Sequence, residues 1–68
     1  MILLDFLKLV IGPEFTYVHV LDPKTRTELS QGFADDIIDN PLFAQRYKVL
    51  SFYFQHGTLV INCQEENK

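Results

Sequence analysis

Tryptophan is absent from this chain, and only one cysteine, one methionine, three glycines and three prolines occur among its 68 residues. A lone Cys63 excludes an intramolecular disulfide. Small secreted domains normally carry paired cysteines, so it points to a reducing, cytoplasmic setting. Basic residues are also scarce. Six Lys and Arg stand against nine Asp and Glu, a net charge of -3, and no basic run exists. Nucleic-acid binding needs a basic face that displaces counterions, and the RNA-recognition pattern of a basic residue, Gly and alternating aromatics is missing, so nucleic acid is not the expected partner. No apolar run approaches the roughly 18 residues of a membrane span. Met1 to Ile11 is apolar, but Asp5 and Lys8 interrupt it, no basic region opens it and no small-x-small site closes it, which favours a helix over a signal peptide.

What is present is a collapsible chain. Hydrophobic residues make up 47% and charged residues 22%, which separates it from disordered sequences and gives one domain over residues 1–68. A core this small supplies only about 3 to 5 kcal/mol, so a partner subunit would add usefully to it.

Leu3, Phe6, Leu7 and Val10 fall on one stripe of a 3.6-residue period, so Met1 to Ile11 reads as a short helix stopped by Gly12-Pro13. Phe15 to Leu21, rich in aromatic and β-branched residues, predicts a first strand, turned at Asp22-Pro23-Lys24-Thr25. Thr27 to Phe33 predicts a second, with Gly32 marking a bulge or a close backbone approach. Asp35 to Asn40 predicts a helical turn or two with Ile37 and Ile38 inward, ended by Asn40-Pro41. Tyr47 to Gln55 and Thr58 to Cys63 form a hairpin across His56-Gly57, where Gly supplies positive φ. Glu65 to Lys68 is a charged tail, expected to be mobile. The fold class is therefore α+β: a four-stranded antiparallel sheet with one or two short helices packed on one face.

Side chains alternate along strands. In the third strand this sets Leu50, Phe52 and Phe54, expected in the core, against Tyr47, Val49, Ser51 and Tyr53. In the fourth it sets Leu59, Ile61 and Cys63 inward against Thr58, Val60 and Asn62. The first strand is ambiguous, because Val18 and Val20 and their neighbours Tyr17, His19 and Leu21 are all apolar or aromatic. With the valines inward, Tyr17, His19, Tyr47, Val49, Tyr53 and Val60 gather on the face that two short helices leave uncovered. These residue types are enriched at protein interfaces, yet they are also ordinary on solvent-facing strands. Plain surface, self-association and docking of a foreign protein all stay open for this face. A free sheet edge pairing with another strand is a further route to association.

Candidates for catalysis or metal binding are few. His19, His56 and Cys63 match no zinc spacing, and a Cys-His pair would also need an oriented base and a cleft. Asp35, Asp36 and Asp39 lie close along a helix, but the calcium-loop pattern is absent and helix N-termini favour Asp for capping and for the dipole. With Glu28 these carboxylates could present an acidic edge to a basic protein surface. No catalytic residue, metal ligand or cofactor is assigned.

The succession of a short apolar helix, a strand, the Asp22-Pro23-Lys24 turn, a strand with Gly32, a short acidic helix and a hairpin ending Gly57-Thr58-Leu59-Val60-Ile61-Asn62 resembles the small uncharacterised proteins of Gram-positive bacteria, their phages and mobile elements. The resemblance spans Leu3 to Asn62 and implies an accessory protein that acts on a host protein by binding it. The expectation is a non-enzymatic protein-binding module. The alternative is a homodimeric structural or accessory protein without a foreign partner, and a small enzyme comes third.

Overall fold

A computed structural model describes residues 1–66. Three short helices, α1 (Leu3–Leu7), α2 (Ala34–Ile38) and α3 (Pro41–Ala44), lie against a sheet of β1 (Tyr17–Asp22), β2 (Thr27–Phe33), β3 (Tyr47–Gln55) and β4 (Thr58–Glu65). The α+β class of the sequence reading is thus observed, with one more helix than expected. Spatial order is β2-β1-β4-β3. The two hairpins are antiparallel, but the central pair, β1 with β4, is parallel, so the sheet is mixed. The cause is the connection: the chain leaves β2 at one edge, passes through α2 and α3, and enters β3 at the other. β4 then returns beside β1 in the same direction.

Local chemistry explains the elements. Asp22 builds its turn by accepting the Lys24 and Thr25 amides on one carboxylate oxygen, at 3.0 and 3.4 Å. His56 (φ 52°) and Gly57 (φ 79°) both take the positive φ that a tight two-residue hairpin demands. α1 ends at Leu7 with Lys8 as its cap, four residues ahead of Gly12, so Gly12-Pro13 is not its stop; Gly12, at φ 70°, instead precedes a 3-10 turn over Pro13–Phe15, and β1 starts after it at Tyr17. Gly32 needs neither a bulge nor a close approach: a Cβ there would meet nothing within 4 Å, and its φ of 148° is the reason for glycine. Asn40 leaves the helical region (φ -117°, ψ 69°), but Pro41 then starts α3 from its first position, which the sequence reading missed. Asp35 and Asp36 do not cap α2, whose N-cap is Phe33 without a side-chain bond; they occupy its first turn, where negative charge suits the dipole. Glu65 ends β4 and the Glu66 amide donates to the Arg46 carbonyl at 2.7 Å, so the expected tail is partly strand; the rest of it, 67–68, lies outside the described residues.

The core lies between helices and sheet. Leu3, Leu4, Leu7, Ala34, Ile37 and Ala44 come down from the helices onto Val18, Val20, Leu59, Ile61 and Cys63. The inward set read along β4 is therefore observed, and β1, whose pattern left both of its sets open, turns Val18 and Val20 inward. Along β3 the set read from the sequence is not observed. Val49 pairs with Cys63 and Ser51 with Asn62, which leaves Leu50 as an extra residue in the ladder. One inserted residue reverses the alternation for everything beyond it. Tyr47 and Val49, expected on the uncovered face, consequently share the helix side with Cys63. Tyr47 is only 9% exposed, its ring 5.0 Å from that of Phe43, and Val49 packs against the core.

Leu50, Phe52 and Phe54, expected in the core, are all exposed, Phe52 at 53% and Phe54 at 68%. Phe52 and Phe54 do stand on the helix side, opposite Ile61 and Leu59. The roof fails to reach them. Helices of four or five residues are under about 8 Å long, whereas a nine-residue strand runs about 30 Å. Phe6 extends toward this end, its ring 4.9 Å from that of Phe52. Among the described residues, no helix is long and apolar enough to cross a membrane.

Candidate protein-binding surface

Register across the four strands sorts the open face into rows. Gln31, His19, Val60 and Tyr53 form one row; Glu28, Leu21, Asn62 and Ser51 form a second; Tyr17 stands beside Phe33 at the other end. Four strands at ordinary spacing make this face about 14 Å across. Of the six residues anticipated as an interface, the fold brings Tyr17, His19, Tyr53 and Val60 together here and removes Tyr47 and Val49 to the opposite side. Phe33, which alternation along β2 could have revealed, joins them.

A polar centre holds the rings in place. His19 Nε2 lies at hydrogen-bond distance, 2.8 Å, from Gln31 Oε1, with the Glu28 carboxylate oxygen Oε2 3.2 Å away on the same side. The Tyr17 hydroxyl donates weakly to the same Gln31 oxygen at 3.4 Å, and its ring meets Phe33 edge-on at 5.4 Å. Asn62 Nδ2 donates to Ser51 Oγ at 3.0 Å. Val60 lies on this face yet is nearly buried, flanked by His19 and Tyr53. Tyr17, Phe33 and Tyr53 remain open to solvent around it. The arrangement can offer aromatic area, a hydroxyl at two of the rings, and a carboxylate.

The acidic edge does not form as one surface. Glu28 belongs to the open face through His19, while Asp35, Asp36 and Asp39 are exposed on or just after α2, on the opposite layer and at the other end of β2. Chemistry candidates are likewise dispersed. Cys63 is fully enclosed in the core; burial first, and the negative charge of Asp22 second, push its thiol up to about 12. His56 sits in the exposed β3–β4 turn, and His19 is held on the open face. Among the described residues no three His, Cys, Asp or Glu side chains are grouped to hold a metal ion.

Compared with known proteins, the chain matches no family, no curated protein and no solved structure.

Proposed function

We propose that this chain is a small non-enzymatic protein-binding module, an accessory protein of the phage or mobile-element kind that modulates a larger host protein by docking on it. The observation that supports this reading is the open sheet face, where Tyr17, Phe33 and Tyr53 stand exposed around a polar centre instead of being covered by a helix. Aromatic side chains with polar tips give large contact area at small entropic cost, which is why they dominate the energetics of protein interfaces.

Site-specific photo-crosslinking tests it. A photoreactive phenylalanine analogue placed at Tyr17 should yield one stoichiometric adduct with a single foreign protein in Gram-positive host cells. The same group at Asp36, on the other layer, should not. Equal labelling from both positions, or none from Tyr17, contradicts the proposal.

Self-association is the second reading. A separate feature favours it: the free edge of β3, which carries no charge along its distal half.

A further inference from the structure

Two strands of the sheet have free edges, and they are managed differently. β2 is interrupted by a bulge at Leu29 opposite the Val20–Leu21 step, places Glu28 near its start and contains Gly32. Such features discourage another strand from pairing. β3 is nine residues long, and its first half is already occupied: Ile2 bridges to Lys48 and the Val49 amide donates to the Met1 carbonyl at 2.7 Å. Beyond the Leu50 bulge, Ser51-Phe52-Tyr53-Phe54-Gln55 has no such cover among the described residues, and the segment holds no Lys, Glu, Asp, Arg or Pro. An unguarded strand edge is a template for pairing. We propose that this free half of β3 is the seam of a symmetric homodimer, in which the same segment of a second copy pairs antiparallel with it about Tyr53.

Three observations select a second copy as the occupant. Symmetric antiparallel pairing about Tyr53 sets Phe52 opposite the second copy's Phe54, and Phe54 opposite its Phe52. Both lie on the helix side, where each is more than half exposed. Cross-strand aromatic pairs are among the favourable ones, and a two-fold seam forms both at once. Charge points the same way. Copies of a chain with net charge -3 repel, and an uncharged five-residue segment is where they can meet without placing like charges opposite. Area is the third. Phe52, Tyr53 and Phe54, each about half exposed or more, leave on the order of 300 Å² of surface open per copy. The paired main chains and the adjoining Phe6 carry this toward the roughly 600 Å² per partner that a specific interface requires.

This seam does not depend on the open face binding a foreign protein; it shares Tyr53 with that face and otherwise engages Phe52, Phe54 and Phe6 on the helix side. The test is the mass of the full chain in solution by sedimentation, from about 10 μM to about 1 mM, the range in which an interface this small assembles. A species of twice the 7.9 kDa chain mass is expected. Phe54→Asp, a change at an exposed position, should weaken the dimer at least tenfold, while Tyr17→Asp on the open face should leave it unchanged. Geometry is checked independently by oxidation. Opposed Cα atoms of antiparallel strands are about 4.5 to 5.5 Å apart, within disulfide reach. Tyr53→Cys should therefore crosslink to itself and form covalent dimers, whereas Ser51→Cys alone, which opposes Gln55, should not. A monomer throughout, a dimer dissolved by Tyr17→Asp but not by Phe54→Asp, or equal crosslinking from Ser51→Cys and Tyr53→Cys overturns the proposal.

Discussion

Replacing Tyr47 by Ala separates the observed fold from simple alternation along β3. With strict alternation Tyr47 faces outward, and its truncation changes stability by less than about 0.5 kcal/mol, as for most surface positions. In the structure its ring lies under α3, 5.0 Å from Phe43, with the Arg46 guanidinium 5.8 Å from the ring centre, and about nine-tenths of the residue is covered. Truncating a buried aromatic costs about 3 to 5 kcal/mol. A domain this small has about that much stability in total, so Tyr47→Ala should abolish the cooperative transition at 25 °C. Tyr47→Phe keeps the ring and should unfold within about 0.5 kcal/mol of the parent, which shows that packing and not the hydroxyl is responsible. Urea titration followed by far-ultraviolet circular dichroism reads all three. With a slope near 1 kcal/mol/M, a midpoint for Tyr47→Ala within about 0.5 M of the parent would refute the reasoning.

Phe52→Ala, at a site about half exposed, should cost about 1 to 1.5 kcal/mol and not the roughly 3 to 5 of a buried ring; a complete loss of folding in the same titration would show that the roof extends further than described. Stability should decline above pH 9. The folded thiol of Cys63 holds its proton up to about 12 while the unfolded one releases it near the ordinary value of 9.0, so between these values the unfolded chain binds fewer protons and gains on the folded one by up to about 1.4 kcal/mol per pH unit. Cys63→Ala should flatten that decline, and an unchanged pH profile in thermal melts would contradict the assignment. His56 adopts a left-handed conformation that asparagine accepts more readily; His56→Asn should raise stability by about 0.5 kcal/mol and Tm by about 2 to 4 °C, and a lower Tm would count against the turn as described.

Strand periodicity and turn chemistry made much of this fold legible. Tyr47 to Gln55 and Thr27 to Phe33 coincide with β3 and β2, His56-Gly57 marks the hairpin, and Leu59, Ile61 and Cys63 are inward as the pattern indicates, whereas the alternation of β1 did not choose between its two apolar sets and packing under the helices turned Val18 and Val20 inward. What was illegible has physical causes. A bulge adds one residue without any compositional mark: Leu50 is an unexceptional strand residue, yet its insertion moves Tyr47 and Val49 to the other side of the sheet. The parallel pairing of β1 with β4 follows from where the β2–β3 connection crosses, a property of the whole chain and not of either strand. Exposure of Phe52 and Phe54 depends on helix length set against strand length, and hydrophobicity alone counted them as core. The open face was partly legible. Tyr17, His19, Tyr53 and Val60 gather there, but Gln31 and Glu28, which fix His19, and Phe33, which packs on Tyr17, come from a strand whose polar residues attract little notice in a sequence.

The reversal of facing at Leu50 supports both proposed surfaces, and through-space proton contacts of the aromatic rings measure it most directly. The structure predicts cross-peaks between the rings of Tyr47 and Phe43, between those of Phe52 and Phe6, and from the Tyr53 ring to the Val60 methyls. A Tyr47 ring that contacts His19 or Val60 and not Phe43 would contradict the fold on which both surfaces rest.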